Sequence, residues 1–235
     1  MAGQRNWAWG GFIAVTMASL AAALLMAWQA PDDIEQGVMQ KIFYVHLPLA
    51  INAFLACLTV FIASLGYLWQ RRSWWDDLGA AGARVAVLLC TGVLLTGMIW
   101  ARSAWNTWWA WTPRLTFSLM LWLLYVVYLM IRTSIESPQR RAVVAAVYGL
   151  SAFLDVPLVW LSARLIRDPF HPANVHLATT AMKITLVVWF VPVTLISAGL
   201  VVARFNLNRR VREDERNTAA ETVPTGNVRV SGGIA

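Results

Sequence analysis

Three histidines and a dense run of tryptophan are the residues of this chain with the widest chemical reach. His46, His171 and His176 are its only imidazoles, and five of the twelve residues from 100 to 111 are tryptophan. Trp105, Trp108 and Trp109 are spaced i, i+3, i+4, so on a helix they would form one aromatic face. Tryptophan favours both membrane surfaces, which accounts for the dispersed Trp7, Trp9, Trp28, Trp69, Trp74 and Trp75. Four tryptophans between Trp105 and Trp111 make a slab beyond what anchoring needs, and the slab reads as a ligand platform. Arg102 and Arg114 flank it, either as charges for a ligand or as interfacial side chains that snorkel to water. Aromatic rings, imidazoles and guanidinium groups together suit a large flat apolar ligand with anionic edges. Haem fits, with rings against the macrocycle, two axial imidazoles on iron and arginine on the propionates. Residue types alone leave a quinone or a lipid headgroup open.

The elements that must position these groups are membrane helices. Of 235 residues 59% are hydrophobic and 13% charged, about half the charge of an ordinary soluble domain, and the mean hydropathy is +0.57. Apolar runs near the length that crosses a bilayer, about 20 residues, fall at roughly 10–30, 48–69, 84–102, 115–132, 142–163 and 181–203. The expected fold is therefore all-α: a polytopic membrane protein with six transmembrane helices and short interfacial helices on the outward face. The first run lacks a convincing small-residue cleavage site at Ala27–Ala30 and is expected to stay as a helix. Six spans put both termini on one side, and that side carries thirteen of the nineteen Lys and Arg residues. By the positive-inside rule the termini are cytoplasmic, so the net charge of +7 reflects topology rather than nucleic-acid binding.

Three connections then face outward, roughly 31–47, 103–114 and 164–180, and together they hold the histidines and the tryptophan slab. Met39, Ile42, Phe43 and His46 share one helical face, so a short interfacial helix ahead of Pro48 could deliver the imidazole to the second span. A lone histidine there is also commonly one that bonds a neighbouring carbonyl. His171 sits between prolines in a stiff loop suited to a fixed ligand, whereas His176 leads into the last span. Asp155 lies inside the fifth span near Pro157, where a carboxylate is either functional or bonded to a neighbouring helix. Cys57 and Cys90 stand singly in apolar runs, without the spacing of a zinc site or of covalent haem attachment. The cytoplasmic connections contain no phosphate-cradling glycine loop. No internal repeat or duplicated broken-helix pair is visible. These features divide the chain into a membrane domain, 1–205, and a charged tail, 206–235, expected to be disordered.

The segment WNTWWAWTPRLT, Trp105–Thr116, resembles the tryptophan-rich "WWD" signature of haem-handling proteins. With six spans, His46 in the context YVHLP and His171 in the context FHP, the chain is similar to the haem exporter protein C family, CcmC, of cytochrome c maturation. The resemblance covers about residues 10–203. Two positions depart from the signature: Asn106 stands where glycine is usual, and Thr112 where its aspartate is expected. The third outward loop also lacks the paired tryptophans often found before its histidine. The resemblance implies that haem b is a bound and transferred ligand, with Trp105, Trp108, Trp109 and Trp111 around the ring, His46 and His171 on the iron and Arg114 at a propionate. It further implies the cytoplasmic membrane, a complex with the ATPase CcmA, CcmB and the small CcmD, and presentation of haem to the periplasmic chaperone CcmE. Such a protein is an assembly factor with some ligase character and no independent catalytic site. The principal alternative is a permease subunit that moves haem or another small molecule through its own helices. That reading calls for polar residues along the spans, and Asp155 is the main one present.

Overall fold

The computed structural model describes residues 2–165 and 177–221. Among the described residues seven α-helices follow one another: α1 (Ala2–Gln29), α2 (Phe43–Gln70), α3 (Ser73–Trp105), α4 (Pro113–Ser134), α5 (Pro138–Phe153), α6 (Asp155–Leu165) and α7 (Thr180–Glu221). A 3-10 helix, Val38–Ile42, runs directly into α2. Six helical stretches are long and apolar enough to cross a membrane, with α5 and the start of α6 forming one of them, and no strand occurs among the described residues. Helices suit this environment because each satisfies its own backbone polar groups where no water is available.

Local sequence explains the breaks. Arg71, in the left-handed region at φ 55°, ends α2 by donating its N–H to Tyr67 O at 2.8 Å. Proline occupies the first position of α4 and of α5, where its missing N–H is not needed. Between α5 and α6 the chain turns at Leu154, and Pro157 has no N–H to return to the carbonyl of Phe153. The expected fifth span is thus two helical pieces with Asp155 at their joint. Other spans overrun their apolar cores, α7 by the most and α2 at its start. Helix α2 starts at Phe43 rather than 48, so His46 lies in its first turns and not on a separate interfacial helix.

Packing relies on small residues. Ala53, Ala56, Ala83, Ala86, Ala145 and Ala152 are buried in the main core between α2, α3, α4, α5 and α6. Small side chains let helix backbones approach closely, which is what drives association where lipid is as apolar as the interface. At Gly149 an added Cβ would come within 2.7 Å of Ser64 Oγ and 3.1 Å of Val60 Cγ1. Cys57 and Cys90 are both free thiols in this core.

One end of the bundle is tied by charge. The Asp76 carboxylate, in the first turn of α3, accepts from both terminal nitrogens of Arg132 on α4, one of them at 2.9 Å, and from Arg212 on α7 at 3.3 Å. Arg212 also pairs with Asp77, and Asn208 Nδ2 donates to the Asp77 carbonyl at 3.0 Å. These bonds hold α7 against α3 well past residue 205. The helix continues to Glu221, which corrects the expectation of a disordered tail from 206 as far as that residue.

Candidate functional site

At the opposite end of α3 the helices part around a cavity of about 810 Å³, a size within the range of about 300–1,000 Å³ typical of ligand pockets. His46, Trp105, Trp108, Trp109 and Arg114 all line it. Its floor is apolar, built from Ala53, Phe54, Cys90, Leu121 and Val159. One rim is the folded segment before α2, where Asp33 Oδ1 accepts the N–H groups of Glu35 and Gln36, each at 3.0 Å. Trp100 Nε1 donates to Gln36 Oε1 at 3.3 Å and fastens that rim to α3, while Lys41 pairs with Asp32 at 3.0 Å.

The imidazole of His46 is held from α3. Its Nδ1 lies 2.8 Å from Thr96 Oγ1. Gly97 faces the ring edge, where an added Cβ would stand 3.3 Å from His46 Cε1. The side chain is half-buried and reaches the cavity.

The tryptophan slab is not a helix face. Helix α3 stops at Trp105 because Asn106 adopts the left-handed region, φ 57° and ψ 21°, leaving Thr107–Thr112 as a loop. Asparagine tolerates this conformation better than most residues with a side chain, so it serves where glycine is usual. Arg102 closes the helix end by donating to Asn106 O at 2.7 Å and to its side-chain oxygen. This occupies a guanidinium that the sequence offered as a ligand charge. Trp100 and Trp105 meet edge to face with centroids 4.7 Å apart, and Trp109 and Trp111 do so at 5.9 Å. Trp105 reaches the cavity from the last turn of α3 and Trp108 and Trp109 from this loop, whereas Trp111 is 76% exposed and stands outside its lining.

Thr112 begins α4. Its Oγ1 accepts the N–H of Leu115 at 3.4 Å, the N-cap role that aspartate also fills. The cap places Arg114 in the first turn of α4, beside the cavity. Replacing the signature aspartate removes a charge and keeps the cap.

Several lining residues were not singled out from sequence. Arg164 stacks over Trp160 with its Cζ 4.2 Å from the ring centroid, so a second cation borders the cavity. Their i, i+4 spacing was the available signal. Gln40 is 4% exposed and lines the cavity, and neither atom of its side-chain amide has a hydrogen-bond partner among the described residues. The indole N–H of Trp109 is in the same condition. Buried polar atoms of this kind are costly unless something bonds them, so they fit a ligand with polar edges. Asp155, 3% exposed, likewise has both carboxylate oxygens unpartnered among the described residues, but it does not line the cavity. His171 and His176 lie outside the described residues. Among those described, no three His, Cys, Asp or Glu side chains gather as a metal cluster.

Known proteins resemble this chain. Residues 3–222 match the family described as Heme exporter protein C. The chain is 32% identical over 207 residues to a Heme exporter protein C of Bradyrhizobium diazoefficiens, covering 85% of this chain and 79% of that protein. It is 30% identical over 135 residues to the protein of the same name from Escherichia coli K12, where it spans 54% of the relative and 57% of itself. A ccmC-like mitochondrial protein of cytochrome c biosynthesis from Marchantia polymorpha is 27% identical over 178 residues, 76% of this chain and 74% of the relative. With six membrane-length helices, a histidine and tryptophan-lined cavity and a match over nearly its whole length, the chain belongs to the Heme exporter protein C family, which handles haem for cytochrome c biogenesis.

Proposed function

We propose that this protein holds haem b in the cavity between the slab and α2, at the periplasmic face of the cytoplasmic membrane, and presents it to the chaperone CcmE. The observation that carries the proposal is the meeting of His46, Trp105, Trp108, Trp109 and Arg114 on one cavity, although α2, the end of α3, the loop after it and α4 supply them. Haem is the cargo, and the donor set suits it: an imidazole for iron, indole rings for the macrocycle and an arginine for a propionate. Gln40 and the Trp109 N–H are further polar contacts for the carboxylate edge, and Arg164 is a second cation beside Arg114. His171 is proposed as the second axial ligand, and Trp111 as an aromatic flank at the mouth.

The chain's own residues bind, orient and shield. The tryptophans exclude water from one side of the ligand, and the cations fix which edge faces inward. The remaining edge is left toward the partner, so the contribution is positioning rather than acid–base chemistry. Both termini lie in the cytoplasm in this reading, as the distribution of Lys and Arg supports. CcmA, CcmB and CcmD complete the membrane complex.

The test is the absorption spectrum of detergent-purified protein, expressed with those partners, compared with His46→Ala, His171→Ala and His176→Ala. A bis-histidine spectrum lost in the first two variants and kept in the third is expected. Wild-type protein free of haem would overturn the proposal, and haem retained without His46 would overturn the axial assignment.

A further inference from the structure

We propose that Thr96, with Gly97, is a positioning pair that fixes the tautomer of His46 and seats the ring close against α3 so that Nε2 presents its lone pair to the cavity. The inference rests on His46 being an iron ligand, but it concerns a state of the protein before any ligand arrives.

The argument is a count of protons. Thr96 Oγ1 lies 2.7 Å from Gly92 O, 3.2 Å from Val93 O and 2.8 Å from His46 Nδ1. A hydroxyl has one proton to donate, and a carbonyl oxygen can only accept. Two oxygens 2.7 Å apart need a proton between them, so the Thr96 hydroxyl donates to its own helix backbone at Gly92. Its lone pairs then face His46, and the bond at 2.8 Å forms only if Nδ1 carries the hydrogen. In a neutral imidazole with Nδ1 protonated, Nε2 is the free donor atom. A free Nε2 is what metal ligation requires, and a bond from the other ring nitrogen is the usual means of arranging it.

Gly97 supplies the second constraint. A methyl group at this position would stand 3.3 Å from Cε1, tighter than ordinary contact, so the bare backbone lets the Cε1 edge of the ring approach α3 closely. Thr96 thus sets which nitrogen is protonated and Gly97 sets how closely the ring approaches, both from one turn of one helix.

The chain has only three histidines, so isotope-labelled imidazoles can be resolved and assigned using His171→Ala and His176→Ala. The experiment is nitrogen-15 solid-state NMR of haem-free protein in bilayers, paired with haem titration of the same samples. Wild type and Thr96→Ser are expected to show His46 with hydrogen on Nδ1. Thr96→Val is expected to lose that preference and to bind haem about 10- to 100-fold more weakly, the usual loss when such a supporting bond is removed. Gly97→Ala should keep the tautomer and weaken haem binding, while leaving the helix intact because alanine favours it. Hydrogen on Nε2 in the wild type, or a Thr96→Val protein with unchanged tautomer and affinity, would overturn the proposal. If the tautomer follows Thr96 while haem binding ignores both Thr96 and His46, the ligand assignment fails and the positioning stands.

Discussion

The two ends of helix α3 handle buried polarity in opposite ways. At its first turn, Asp76 and Asp77 are met by Arg132 and Arg212, with Asn208 bonding the backbone beside them. Near its last turns, the cavity keeps a buried Gln40 amide and a Trp109 N–H without partners among the described residues. Charges removed from water are costly unless paired, so the paired end is organised for holding helices together. The open end keeps polar atoms that have no partner among the described residues, which fits the proposed ligand site because buried polar atoms are costly when unbonded. The paired charges and the proposed ligand site are therefore separated along a single 33-residue helix.

That separation can be broken from either side. The largest effect is expected for Asp76→Ala, which leaves Arg132 and Arg212 short of a carboxylate and should cost about 3–5 kcal/mol. Thermal unfolding in detergent checks the loss, and surviving folded protein should still bind haem. Gln40→Leu should act with opposite signs on the two properties. Removing an unbonded buried amide is expected to leave stability equal or raised by about 1–2 kcal/mol, while haem retention through purification falls. A fall in both would mean that the amide supports the fold. Thr112→Ala should cost about 1 kcal/mol through the lost cap and loosen the turn bearing Arg114, whereas Thr112→Asp should restore both. Melting temperature and haem affinity would report the two parts. The smallest effect is expected for Asn106→Gly, within a few tenths of a kcal/mol of wild type because both residues accept positive φ. Asn106→Val should instead shift the slab, seen as altered tryptophan fluorescence.

Much of the fold was legible in the sequence, because apolar runs of membrane length leave few alternatives. Boundaries were less so. Hydrophobicity marks where lipid begins and ends, and α2 and α7 continue as helix beyond it through Phe43 and Glu221. The slab was legible as a feature but not in its shape, since i, i+3, i+4 spacing is equally compatible with the loop that Asn106 opens. The asparagine itself was the missed cue. Gln40 and Thr96 were illegible, being ordinary polar residues until the fold places Gln40 at the cavity and Thr96 against His46. The pairing of Asp76 and Asp77 with Arg132 and Arg212 depends in the same way on three helices meeting.

Helix α3 also has a mechanical meaning. Its first turn is clamped to α4 and to the arginine-bearing stretch of α7, and its far end carries the Thr96 hydroxyl, Gly97 and the start of the slab. At about 1.5 Å per residue it is a strut of roughly 50 Å. A strut fixed at one end and bearing a ligand's support at the other moves as one piece. Any partner that tilts the arginine-bearing stretch of α7 would, through Arg212, bear on the rod against which the His46 ring rests.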